Sequence, residues 1–149
     1  MSQKIPESLY REILRNMPIC CVDIVIKSEN GILLVYRKNE PAKDTWWLPG
    51  GRIYKNEKME DAVLRKSFEE TGLKVKIKKQ IGAYETIFDK NPFDNSFGVH
   101  SINICFVVEA LNHEAKLDNQ SSSFKWINKI ESNLPDYVKK VLSDSDVFN

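Results

Sequence analysis

The stretch from Gly50 to Leu73 reads GGRIYKNEKMEDAVLRKSFEETGL. It opens on a Gly-Gly turn and closes on Gly72, a residue suited to end a helix in the left-handed conformation. Between them the spacing predicts a helix over 57–71, with Met59, Val63 and Ser67 in one row and Asn56 as its cap. Lys66, Glu69 and Glu70 stand at i, i+3 and i+4, so a helix puts all three on one face. Two adjacent carboxylates beside a glycine turn suit a hard divalent cation. Mg²⁺ takes oxygen ligands, keeps several waters, and needs only one or two carboxylates plus a backbone carbonyl. Gly50 and Gly51 let the backbone approach such an ion, which would stabilise a diphosphate as a leaving group. Spacing alone leaves a second reading open: an acidic pair on the solvated face of an ordinary helix, next to an ordinary turn.

Upstream, Trp46-Trp47-Leu48 reads as a short strand stopped by Pro49-Gly50-Gly51, after a polar loop over 39–45. The apolar runs Ile19 to Ile26 and Ile32 to Tyr36, joined by Ser28-Glu29-Asn30-Gly31, predict a β-hairpin. Asp23 lies inside the first run, where a carboxylate needs a partner, structural or functional. Pro6 to Met17 predicts a helix with Leu9, Ile13 and Leu14 on one side, ended by Pro18. Downstream, Val75 and Ile77 alternate with lysines in a half-exposed strand over 74–81 that 83–88 extends. A loop over 89–97, a buried strand over 99–109, a short strand over 124–127 and a helix over 134–142 complete the order. The class is α/β (α+β), a mixed sheet between helices, in a single domain spanning 1–149.

With 42% apolar and 29% charged residues, the composition is that of an ordinary globular domain. The formal net charge of +1 argues against general attraction to nucleic acid or to an anionic membrane. No apolar run is long enough to span a bilayer, and Met1 to Met17 lacks the apolar stretch of a secretory signal. Cys20, Cys21 and Cys105, an odd count in apolar surroundings, suggest buried thiols in a reducing compartment, and the expected location is cytoplasmic. His100 and His113 form no zinc-like cluster.

The segment resembles the box of the Nudix hydrolases, G-x5-E-x7-R-E-U-x-E-E-x-G-U with U apolar. Gly51, Glu57, Arg65, Glu69, Glu70, Gly72 and Leu73 fall on it. Lys66 stands where the pattern has Glu, and Ser67 where it has an apolar residue. The likeness runs from the first hairpin to Trp126 and implies the Nudix α/β/α sandwich. An ammonium at Lys66 disfavours further Mg²⁺ nearby, so the expected load is one ion (Mg²⁺, or Mn²⁺) on Glu70, Glu69 and the Gly50 carbonyl. The alternative is that Lys66 merely pairs with those carboxylates.

The altered box, the run Arg37 to Ala42 and Trp46-Trp47-Leu48-Pro49-Gly50-Gly51-Arg52 are similar to those of the GDP-mannose mannosyl hydrolases, as is the polar Asp23. That resemblance implies water attack on the anomeric carbon of GDP-mannose or GDP-glucose, releasing GDP and free sugar. It makes Arg37 and Arg52 contacts to the leaving group, places Asp23 in the site, and gives Gln120 to the metal. Arg65 is expected to orient the helix carboxylates. Ser121 falls where those relatives carry a catalytic His, and a neutral hydroxyl is a poor base; Glu85 or a carboxylate of the 89–97 loop is the substitute considered. Trp46, Trp47, Phe93 and Phe97 read as packing, with a nucleobase stack as the alternative for the phenylalanines. The resemblance implies a homodimer, for which Leu9, Tyr10, Ile13 and Leu14 offer an apolar contact; the alternative is that this stripe covers the monomer's own core. Rival activities are P–O cleavage of ADP-ribose or a nucleoside triphosphate, and nucleotide-sugar binding with little turnover.

Overall fold

The structure is a computed structural model and describes residues 4–112, 115 and 121–148, with only the backbone of 121 and 122. Its first helix, α1 (Glu7–Asn16), leads into β1 (Ile19–Ser28) and β2 (Gly31–Arg37). Two short strands follow, β3 (Trp46–Trp47) and β4 (Gly50–Arg52), then helix α2 (Met59–Thr71). Long strands β5 (Val75–Phe88) and β6 (Val99–Ala110), the strand β7 (Ser121–Ile127) and helix α3 (Asp136–Ser145) complete the chain.

All strands join one seven-stranded sheet with the order β3-β2-β1-β6-β5, in which β4 pairs with β1 and β7 with β2. Among the described residues only β1 and β6 run parallel; the other pairings are antiparallel. The expected hairpin exists, but β1 and β2 pair only at Lys27↔Ile32 and Ser28↔Gly31. Beyond the turn they part. The freed edge of β1 takes β4, with Cys21↔Arg52, Val22↔Gly51 and Asp23↔Gly50 in register. Gly50-Gly51 is therefore strand rather than a strand stop. Sheet pairing with β1 overrides the low strand propensity of glycine, and Gly50 lies too close to Val22 and Asp23 for any Cβ.

Alternation along β1 sorts the core. Val22, Ile24 and Ile26 point to the face covered by α2, with Ala62, Val63, Leu73 and Phe106. Val25 points to the opposite face, with Leu34, Leu48, Val107, Val138, Val141 and Leu142, under α3. Two helices on two faces give the expected three layers.

Several local expectations shift. Asn56 adopts φ 67° and is no cap; Lys58 holds the N-cap position of α2 without a side-chain bond. Gly72 does close α2 in the left-handed region, at φ 71°. The last helix begins at Asp136, because Pro135 fits only its entry, and runs to Ser145. Cys20 is exposed, against the expectation of buried thiols, because it faces away from both cores. Burial pushes the Cys21 and Cys105 thiols up to about 12. No helix among the described residues is long and apolar enough to cross a membrane.

Candidate active site

Where β1 and β2 part, a cavity of about 460 Å³ opens, within the range of small-molecule sites. Arg37, Arg52, Arg65 and Lys66 line it, and so do Asp23 and Glu40. The site is built from the separated strands, the Gly-Gly segment and the middle and last turns of α2.

The box supplies the rear wall. Arg65 donates from Nε to Glu57 Oε2 at 2.7 Å, from Nη2 to Glu57 Oε1 at 2.9 Å and to the Arg52 carbonyl at 3.0 Å, and from Nη1 to Glu69 Oε2 at 3.1 Å. This fork ties the loop before α2 to the helix, as a bidentate guanidinium does well. Its positioning role is thus as expected from sequence. Glu57, held below the ordinary carboxylate range by Arg65 first, accepts the Tyr54 N–H as well. Glu70 is buried at 3% exposure and accepts the Gly50 N–H at 3.3 Å. Lys66 Nζ lies 3.4 Å from Glu70 Oε1 and 3.6 Å from Glu69 Oε2. The three residues share one face, as their spacing requires.

These residues fit a divalent ion. The two carboxylates already hold a cation between them, the Lys66 ammonium, and no Cβ fits at Gly50 or Gly51 beside them. Among the described residues no three His, Cys, Asp or Glu side chains converge, so backbone and water would complete the shell. Gln120 and His113 lie outside the described residues, and of Ser121 only the backbone, in β7, is described.

Asp23, 7% exposed, lies beside Gly50, its partner in the β1–β4 register. It accepts the Tyr137 hydroxyl at 2.6 Å, and Tyr137 comes from the first turn of α3. Burial raises the Asp23 carboxyl to about 7; the Tyr137 bond opposes that rise, the Glu70 charge adds to it and Arg37 counters it. Tyr137 stacks on Trp47 with centroids 5.2 Å apart and planes at 8°. The cavity floor adds Thr86, Ser101 and Asn103 from β5 and β6, hydrogen-bonded to one another.

Glu85 and His100 are the alternate residues of those strands. They pair with each other at 2.6 Å and are absent from the cavity lining, because a strand sends successive side chains to opposite faces. Glu85, the substitute base raised from the sequence, therefore lies off the cavity. In the 89–97 loop, Asp89 is exposed and Asp94 is bound by Arg11, Ser96 and Asn91, which hold its carboxyl far below the usual range. Phe93 and Phe97 are packed under Arg11 and Arg15 of α1, which docks on this loop. They pack against α1, and neither lines the cavity. Tyr10 and Leu14 of α1 close the cavity wall, and the Arg52 guanidinium lies 5.7 Å from the Tyr10 ring and 5.1 Å from the Tyr54 ring. Arg37 donates from Nε to the Pro41 carbonyl at 2.9 Å, which fixes its head at the cavity rim.

Sequence reasoning missed Tyr137 and the Thr86/Ser101/Asn103 floor. The signal for the floor was present: Ser101 and Asn103 put a polar residue at every second position of an otherwise apolar strand.

A NUDIX domain model matches residues 17–141. The chain belongs to the NUDIX domain family. It is a Nudix hydrolase by class. It is 34% identical over 143 residues to the low-salt glycan biosynthesis protein Agl8 of Haloferax volcanii, covering 96% of this chain and 92% of that one. It is 35% identical over 130 residues to the ADP-ribose pyrophosphatase of Methanocaldococcus jannaschii, covering 85% and 72% respectively. The fold matches the MutT NUDIX hydrolase of Burkholderia pseudomallei with a TM-score of 0.72 at 22% identity, over 87% of this chain and 98% of that one.

Proposed function

We propose that this Nudix hydrolase acts on a nucleoside diphosphate linked to a sugar, with GDP-mannose or GDP-glucose as the first candidates and GDP plus free sugar as products. The observation that carries the reading is one cavity lined both by the cations Arg37, Arg52 and Lys66 and by the buried carboxylate of Asp23. Guanidinium groups match the oxygens of a diphosphate, and a buried carboxylate in the same cavity is available to the sugar. Similarity to a protein named for glycan biosynthesis supports a sugar-bearing substrate.

In this reading, Arg37 and Arg52 orient the diphosphate, and Arg65 holds Glu69 and the loop in place. Glu69, Glu70, the Gly50 carbonyl and Gln120 would hold Mg²⁺ or Mn²⁺. A bound divalent ion supplies charge stabilisation of the departing diphosphate. Asp23, steadied by Tyr137, takes the proton of the attacking water. The water oxygen bonds to the anomeric carbon, the C1–O bond breaks, and its electron pair leaves on the β-phosphate oxygen. Trp47, Leu48 and Val99 supply apolar lining, which strengthens charge interactions beside it.

A second reading, P–O cleavage, draws support from similarity to a protein named ADP-ribose pyrophosphatase. Phosphorus and carbon NMR of the products from GDP-mannose, GDP-glucose and ADP-ribose, with Mg²⁺, separates the two. Free sugar with GDP is the expected result. Mannose 1-phosphate with GMP establishes the second reading instead, and saturable binding without product establishes a binding module. The proposal includes a homodimer through α1, where Leu9 stays 53% exposed beside the docked Tyr10 and Leu14; sedimentation equilibrium checks it.

A further inference from the structure

Lys66 faces two ways. Behind it are Glu70 Oε1 at 3.4 Å and Glu69 Oε2 at 3.6 Å. In front is the cavity that it lines together with Arg37 and Arg52. Its stem is pressed on Gly51, where a Cβ would fall 2.5 Å from Cε and 3.1 Å from Nζ. Gly51 therefore serves the lysine as well as the turn: any side chain there would force the ammonium off the carboxylates.

A divalent ion on Glu69 and Glu70 would take the same oxygens that now hold the ammonium. Two cations sharing those oxygens repel at close range, and the single charge on a flexible stem is the one that yields. In front of it, among the described residues, is the cavity, where Arg37, Arg52 and Arg65 can draw an anion.

We propose that Lys66 is an exchangeable counter-cation. It neutralises Glu69 and Glu70 while no metal is bound, and metal binding displaces its ammonium into the cavity, onto the substrate diphosphate. Metal loading thereby arms the anion site. The inference rests on the reading that Glu69 and Glu70 hold the metal.

The test is Mn²⁺ binding, followed by electron paramagnetic resonance on substrate-free wild type and on Lys66→Met, which keeps the stem against Gly51 and removes the charge. The variant should bind Mn²⁺ on the order of tenfold more tightly, a coupling typical of linked sites. Equal or weaker affinity in a variant with wild-type melting overturns the inference and leaves the metal reading standing. No Mn²⁺ bound by either protein overturns both. A second measurement needs no variant. In ¹⁵N-lysine-labelled wild type, the Lys66 ammonium resonance should move in step with Mg²⁺ occupancy. A resonance that stays fixed at saturating Mg²⁺ overturns the displacement.

Discussion

Helices α2 and α3 cover opposite faces of one sheet and use their buried sides in opposite ways. α3 buries Val138, Val141 and Leu142, the apolar stripe expected of a helix on a sheet. α2 buries Lys66, Ser67, Glu70 and Thr71 beside Ala62 and Val63, and leaves Leu64 and Phe68 outside at 42% and 56% exposure. Burying charge is costly unless every charge is paired, and here Lys66 and Glu70 meet each other and Glu70 meets a backbone N–H. One helix contributes mainly packing. The other gives up packing for a placed set of charges.

The sharpest way to test this division is at Asp23, which stands between the two. Asp23→Asn should lower kcat by ~10²–10⁴-fold, the usual loss on removing a positioned base. It should also stabilise the fold. The folded carboxyl titrates near 7 against 3.8 for the unfolded group, so between those values the folded state binds more protons and stability falls as pH rises. Above pH 7 the wild type carries the whole penalty. In metal-free buffer, melting of Asp23→Asn should exceed wild type at pH 8, and the gap should close toward pH 4. Retained turnover would remove Asp23 from the mechanism. A gap of opposite sign would mean that the charge is stabilising where it sits.

Leu142→Ala tests the α3 side. Leu142 is 1% exposed in the core under α3, so truncation should cost about 2–5 kcal/mol of stability by denaturant titration. Its kcat at 20 °C should stay near wild type, since Leu142 does not line the cavity. A large loss of kcat in the folded variant would break the separation of roles.

Tyr137 is the place where α3 reaches the site. Tyr137→Phe keeps the stack on Trp47 and removes the bond to Asp23. A hydrogen bond to a charged group contributes about 1.5–3 kcal/mol, and that loss should appear in kcat rather than KM if the hydroxyl steadies the base. Equal changes in both would assign Tyr137 to substrate binding.

The contrast explains what could be read from the chain. The order of strands and helices and the Gly72 stop followed from spacing, because helix and strand periods are local; the part of Arg65 came with the family resemblance. β4 did not: its strand character comes from β1, far away in sequence. Tyr137 was hidden for a similar reason. An aromatic at the start of a helix looks like core until the sheet places Asp23 opposite it. Glu85 misled because it carries suggestive chemistry on the wrong face of the right strand, where it meets His100.

The smallest effect separates the two departures from the box pattern, which are neighbours in sequence. Lys66 has partners on two carboxylates; the Ser67 hydroxyl, fully buried, has none among the described residues. An unsatisfied buried hydroxyl costs about 1–3 kcal/mol, and the Ser67 position is one where the pattern has an apolar residue. Ser67→Ala removes the orphan at the expense of a void smaller than a water molecule, so it should raise stability by about 1 kcal/mol and leave kcat and Mn²⁺ affinity unchanged. A loss of stability instead would mean that Ser67 Oγ is satisfied in solution. The inner face of α2 would then carry no residual strain from its polar residues, and the contrast with α3 would reduce to charge alone.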